Sequence, residues 1–557
     1  MLGVHESFNS PFSTRDYTSS VDVIASGSLT SYDSAPMSDS KAVAPETMSS
    51  PTPLRFSDIE VFAVHGADPE VLAYAMAKYS RSALSMKESL KELNEQKAEK
   101  FLNTFYFQYG HRSIADLAHV ALAVEKLSLL AAIALVDEQR WDGQERSTRY
   151  QDYKKASYYV PDFGTDIDAV HTYRTEIDAL FAAYELISED VFRYLSSITP
   201  RPDEMKPEAY ERTLRARAFD VSRYLLPLAT NTSLGQIVNA RTLENQVSRL
   251  LSDERPEIVH LGELLKQAAR EPAWTVNHRR FEWFMQELRL TNEQMWREAQ
   301  AIFERNVRVA PTLVKYAEAS PYQQETRSAL RQAASELMKN AAIDKPPLVD
   351  LLEDEPLEIE LATTLLYEQS HYSYRQIRAA VESLSAASRD EIVGLGTAHR
   401  GRHDELLRAF ASGQKFRFDI LMDIGGFRDM HRHRRCIQIG QAFTTAHGYD
   451  TPDEVIAAGA QRTYNDAMQR AATASVSRSG TEAAEYLIPL AYRKRTLFKM
   501  DFAEVVYISE LRTKPEGHIS YRRAAYGMYE AAIKRYPSLA SIFRVKDISE
   551  PVDLLKR

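Results

Sequence analysis

Two short triplets, Leu226-Pro227-Leu228 and Ile488-Pro489-Leu490, constrain this chain more than any other feature, because the same pattern follows each of them. A nine-residue spacer comes next, 229–237 and 491–499, after which Val238-Asn239-Ala240-Arg241 stands opposite Met500-Asp501-Phe502-Ala503. Arg249 then follows Pro227 by 22 residues, and Arg512 follows Pro489 by 23. Such a repeat predicts tandem copies of one domain. The expected boundaries are a tail over 1–53, a first copy over 54–290 and a second over 291–557, with a new helix over 292–316 just past the junction at Thr291.

Length agrees with this division, since 557 residues exceed what one ordinary core organises. A net charge of -9 argues against nucleic acid or an anionic membrane as the main partner, so any anion site must be local. The single cysteine, Cys436, allows no intrachain disulfide and fits a reducing cytoplasm. It reads as a packing residue rather than a nucleophile. Residues 1–53 are rich in Ser, Thr, Pro and Asp and are expected to be disordered, without the basic start and apolar core of a secretory signal.

Periodicity predicts a strand over 59–64, a helix opening at Asp68-Pro69-Glu70 and running to Lys78, and long amphipathic helices over 88–107 and 167–198. The apolar stretch Leu117 to Val136 is interrupted by His119, Glu125 and Lys126, so it reads as a buried strand followed by a helix, not as a membrane span.

The densest chemistry lies in Asp429-Met430-His431-Arg432-His433-Arg434-Arg435-Cys436, which follows a strand-like run from Phe416 to Ile424. A solvated basic face and a phosphate site are both open readings. Metal is disfavoured, because the guanidinium groups around His431 and His433 oppose a cation. On a helix Arg432 and Arg434 would point to opposite sides, whereas Arg428, Arg432 and Arg435 would share a face, a geometry suited to two adjacent anions.

Arg432-His433-Arg434 after a strand resembles the Arg-His-Arg signature of the flavin-dependent thymidylate synthases. In that family the signature runs on for seven residues to a Ser within a Glu-x-Ser-x-Arg-Tyr tail. Here those seven are Arg435 to Gln441, and Gly440, Ala442 and Thr444 stand where the Glu, Ser and Arg belong. The first copy shows the opposite loss: Glu145-Arg146-Ser147-Thr148-Arg149-Tyr150 matches the tail, while Asp137-Glu138-Gln139-Arg140 replaces the signature. Each copy keeps what the other has dropped. Arg249 and Arg512 resemble the family arginine that reaches the nucleotide from a neighbouring subunit, and His111 and His403 resemble a histidine that precedes the signature.

The resemblance implies an α/β (α+β) fold of two tandem domains, each a small, mostly antiparallel sheet flanked by long helices, two such chains pairing as a homodimer that mimics the family's tetramer. It implies dUMP as substrate, FAD as cofactor, and NADPH and methylenetetrahydrofolate as co-substrates, with no metal. Residue by residue, Glu145, Ser147, Arg149, Arg249, Arg432 and Arg512 would hold the nucleotide, Ser147, Arg249 and Arg512 taking the catalytic positions. His111, His403, Arg432, His433 and Arg434 would face the flavin. For Glu145 and Arg149 a surface ion pair at i,i+4 is the plain alternative. The split motifs leave two outcomes: copies that complement one another across an internal twofold, or a catalytically decayed nucleotide- or flavin-binding module.

Overall fold

Seven strands form two antiparallel sheets in the computed structural model, which describes residues 68–78, 95–103, 112–153, 157–274, 278–303, 307–345, 347–401, 404 and 406–555. All of them fall within one unit, Gly66–Arg557. The expected tail over 1–53, the strand over 59–64, His111 and His403 lie outside the described residues, as does much of the helix expected over 88–107, of which Glu95–Leu102 is described.

The first sheet has the order β1-β3-β2, built from β1 (His119–Ser128), β2 (Asp142–Glu145) and β3 (Asn231–Asn239). The second has the order β4-β5-β7-β6, from β4 (Val349–Leu351), β5 (Phe416–Asp423), β6 (Ile437–Gly440) and β7 (Arg493–Met500). Their registers are the same: Asp142 pairs with Ile237 and Glu145 with Leu234, while Ile437 pairs with Lys499 and Gly440 with Thr496. A spacing of 295 residues therefore relates β2 to β6, and one of 262 relates β3 to β7.

The helix after each first long strand repeats as well. Ser128 caps Leu129–Leu135 by accepting from the backbone of Ala131, and Asp423 caps Ile424–Met430 by accepting from Gly426. A Cβ at Gly426 would run into the Ser520 hydroxyl, so only glycine lets this helix sit so close to the neighbouring Ile519–Arg535 helix. After β3 and β7 the helices Ala240–Leu251 and Phe502–Arg512 are capped by Asn239 and Asp501, again 262 apart.

The two proline triplets meet. Pro227 and Pro489 form an antiparallel bridge in which Leu228 donates to Ile488 and Leu490 to Leu226, both at 3.0 Å. Ala229 donates to Tyr486 and Ala491 to Tyr224 in the same reciprocal way. This is the pattern of an isologous contact made within one chain, a pseudo-twofold axis between the prolines. Leu226, Leu228, Ile488 and Leu490 are all buried in one continuous core that spans both halves.

The helices Pro69–Lys78 and Ile167–Ile198 hold to the residue, and the strand expected over Phe416 to Ile424 ends one residue earlier, at Asp423, which caps the helix opening at Ile424. Other expectations need correction. The stretch after Leu117 is a strand then a helix, but β1 alternates exposed and buried positions and bulges at Lys126, whose φ is 63°. The helix expected over 292–316 is described only as Glu293–Phe303, and the chain turns from Pro311 on, where a missing N–H cannot continue a helix. Arg432 and Arg435 do not share a helical face with Arg428. The helix stops at Met430, because the chain must reverse within a few residues to enter β6 at Ile437.

Candidate functional site

Across the pseudo-twofold, the turn after β2 faces the turn after the Ile424–Met430 helix. The first, with Glu145 at the end of β2, carries Ser147, Thr148 and Arg149; the second, with Asp429 at the end of the helix, carries Arg432, His433 and Arg434. Arg428 joins them, pairing with the Glu145 carboxylate and donating to the Thr148 hydroxyl at 3.2 Å. Arg149 donates from Nε and Nη2 to the two oxygens of Asp220 at 3.0 and 2.9 Å, and from Nη1 to the Tyr521 hydroxyl at 3.0 Å. It also reaches the backbone carbonyl of Glu516 at 3.0 Å. The i,i+4 surface pair between Glu145 and Arg149 is thus not what forms: each pairs across space instead. The Ser147 hydroxyl accepts from the Arg149 amide at 3.2 Å.

Behind this layer lies Arg223, 2% exposed, with Asp220 at 3.4 Å and Asp429 at 3.5 Å. Its Nε and Nη2 make no hydrogen bond, nor do Nε of Arg428 and Oδ2 of Asp429. A buried guanidinium with unmet donors is costly unless something else meets them, so the group is a candidate anion contact. Burial alone would raise the Asp220 carboxyl, but His518, Arg223 and Arg149 outweigh it and hold the group below the usual carboxylate range.

His433 is buried and accepts at Nε2 from Arg512 Nε at 2.8 Å, with Glu504 3.5 Å from Nδ1. Burial pulls the imidazole below its ordinary value. The tautomer is therefore the one with the proton on Nδ1, directed at the carboxylate. Arg434 stacks over the Trp141 ring at 5.3 Å, and burial brings it down to about 10. Its Nε makes no hydrogen bond. Arg432 is exposed, within electrostatic range of Arg512.

Arg249 does not join this group. It donates to Glu138 at 2.9 Å on the other side of the axis. The pairing of Arg249 with Arg512 also shifts by one: Arg249 lies ten residues past its cap Asn239, Arg512 eleven past Asp501. By register Arg512 matches the buried Leu250. Glu138 and Arg249 with Gly440, Gln441 and Ala442 line a separate cavity of about 2010 Å³, the pseudo-twofold mate of the first site.

The residues that complete this cluster and escaped the sequence reading are Arg223, Asp220 and Tyr521. A signal existed for one of them, because Arg223 stands four residues before Pro227 and its repeat counterpart is Glu485. Among the described residues no cluster of His, Cys, Asp and Glu could hold a metal, and no helix is long and apolar enough to cross a membrane.

A family model described as thymidylate synthase complementing protein matches residues 62–273 and again 348–538, well over half of the chain. The chain belongs to the thymidylate synthase complementing protein family. Two family regions in tandem account for the two sheets and their common register. The UPF0159 protein of Chlamydia pneumoniae is 27% identical over 536 residues, covering 89% of this chain and 93% of that one. The UPF0159 protein Ta1429 of Thermoplasma acidophilum is 24% identical, covering 85% and 95%. A flavin-dependent thymidylate synthase of Clostridium tetani is 27% identical over 180 residues, 32% of this chain and 68% of that one. The Helicobacter pylori ThyX structure complexed with FAD and dUMP aligns at 16% identity over 38% of this chain and 93% of that one, with a TM-score of 0.25, an overlap that adds nothing to the family assignment.

Proposed function

We propose that the chain is a flavin-dependent thymidylate synthase-like enzyme. It would methylate dUMP to dTMP with methylenetetrahydrofolate and NADPH-reduced FAD. One observation carries the reading: the tail kept by the first copy packs on the second copy beside its signature, Glu145 and Thr148 on Arg428 of the helix that leads into the signature, and Arg149 on Tyr521.

Charge supports it. Arg149, Arg223, Arg428, Arg432 and Arg512 outnumber Glu145, Asp220 and Asp429 around the site, and a guanidinium surplus suits a phosphate dianion. In this reading Arg223 and Arg149 hold the nucleotide phosphate, Ser147 and Glu145 orient the base and ribose, and Arg512 closes over them from the opposite copy. Arg432 touches the nucleotide at its boundary with the flavin, and His433 and Arg434, with His111 and His403, take the flavin side, where the free Nε of Arg434 over Trp141 fits a phosphate or ring oxygen. Bound FAD would supply the hydride, while the protein contributes positioning, charge and exclusion of water.

The same reading divides the chain into a tail over 1–53 and copies over 54–290 and 291–557, and expects two chains to associate as a homodimer. Sedimentation as a stable monomer would count against that assembly. The activity is tested by the flavin absorbance of the purified protein and by tritium release from 5-labelled dUMP with NADPH and methylenetetrahydrofolate. Colourless protein with no flavin affinity removes the enzyme.

A second reading, a decayed nucleotide- or flavin-binding module, is favoured by the saturation of Arg149: Asp220, Tyr521 and Glu516 already take its donors. Binding of dUMP without turnover would select it.

A further inference from the structure

The cavity on the other side of the pseudo-twofold has had its charges reversed. The spacing of 295 that relates Ser128 to Asp423 puts Asp137 where the first site has Arg432 and Glu138 where it has His433. The spacing of 262 that relates Pro227 to Pro489 puts Glu485 where it has Arg223. Three positions that present nitrogen in one site present carboxylates in the other.

The arginines beside those three carboxylates are taken. Arg249 donates to Glu138 at 2.9 Å, Arg408 to Asp137 at 2.6 Å, and Arg255 to Asp253 at 2.7 Å and Glu485 at 3.1 Å. Lys494 also fills space. A Cβ at Gly440, the position that matches Glu145, would lie 3.1 Å from Lys494 Cε and 3.3 Å from its Nζ. The ammonium donates to the Gln441 carbonyl and sits 4.1 Å from the Phe443 ring centroid. Its counterpart in the first half is the short Thr232. The lysine side chain thus occupies the room that the lost glutamate vacated.

We infer that each chain binds one phosphorylated nucleotide rather than two, at the Arg149–Arg512 side of the axis, and that the mate cavity excludes phosphate through Asp137, Glu138 and Glu485. This rests on the nucleotide reading above. A phosphate entering beside these positions would meet Asp137, Glu138 and Glu485, with Arg249, Arg408 and Arg255 already paired to carboxylates, and like-charge juxtaposition inside a low-dielectric site is strongly unfavourable.

Isothermal titration of the full chain with dUMP, checked by equilibrium dialysis, reads the stoichiometry directly. One nucleotide per chain is expected, and two per chain would overturn the inference while leaving the nucleotide reading intact. No binding at all would sink that reading and the one-site claim with it. Location is read by substitution in folded variants with unchanged melting temperature. Arg432→Ala and Arg512→Lys should each weaken dUMP at least tenfold, whereas Lys494→Met and Glu138→Gln should leave Kd within threefold. The reverse pattern would put the nucleotide in the mate cavity and refute the proposal.

Discussion

Arg512 donates to His433 at 2.8 Å, joining the last turn of one helix to the motif that follows another. In the first half Glu138, the counterpart of His433, is met at 2.9 Å by Arg249, one position off the register of Arg512 on the corresponding helix. An arginine near the end of the corresponding helix reaches this position in both halves, from a register one residue apart, and its acceptor has changed from a neutral imidazole to a carboxylate.

That imidazole makes stability depend on pH. Burial lowers its folded pKa below the unfolded value, so the unfolded chain binds more protons as pH falls below the ordinary histidine range. The contribution of His433 is present above that range and lost as pH falls through the depressed folded value. His433→Gln should lose less stability than the parent between pH 7 and pH 5, measured by urea midpoints.

Asp423 has the opposite sign. Burial, and then the charge of Asp450, raise it to about 6 although Ser520 and the Gly426 amide donate to it. Its folded pKa lies above the unfolded one, so stability falls as pH rises from about 4 to 6. Asp423→Asn keeps the helix cap and should gain on the order of 2 kcal/mol relative to the parent at pH 7, with the gain vanishing near pH 4.

Asp220 sits between Arg149 and Arg223, so Asp220→Ala leaves two buried guanidinium groups without their shared carboxylate. Breaking a buried pair in this way typically costs about 3 to 5 kcal/mol. A denaturant midpoint close to that of the parent would show that the pair contributes little.

Arg432 separates binding from folding. It is exposed, so Arg432→Ala should change stability by less than about 0.5 kcal/mol. Its dUMP or flavin affinity should nevertheless drop about tenfold, the loss of one charge-assisted contact. Equal affinity in calorimetry would remove Arg432 from the site.

Cys436 is 2% exposed, and burial raises its thiol to about 12. It should resist a thiol reagent in the native chain and react fully in denaturant. Rapid native modification would contradict the packing around it.

How much was legible in the sequence varied with the range of the contact. The repeat, the helix Ile167–Ile198 and the strand Phe416–Asp423 could be read because each is written in local spacing. The helical face drawn through Arg428, Arg432 and Arg435 could not, since the stop at Met430 is forced by the return into β6. Arg223 was missed because its place four residues before Pro227, opposite Glu485 in the repeat, marks a difference between the copies but no site until Asp220 and Asp429 close around it.

By itself the sequence determined that two related copies lie in tandem and which motif fragments each retained, because propensity and periodicity act along the chain. Only the tertiary structure decided which fragments meet. The Pro227–Pro489 bridge turns one copy over against the other, and that rotation brings Glu145 and Arg149 of the first to Arg428 and Tyr521 of the second, 283 and 372 residues away. It also consigns Asp137 and Glu138 to the opposite cavity. Partners so distant in sequence are chosen by how two surfaces pack, and no local spacing encodes that choice.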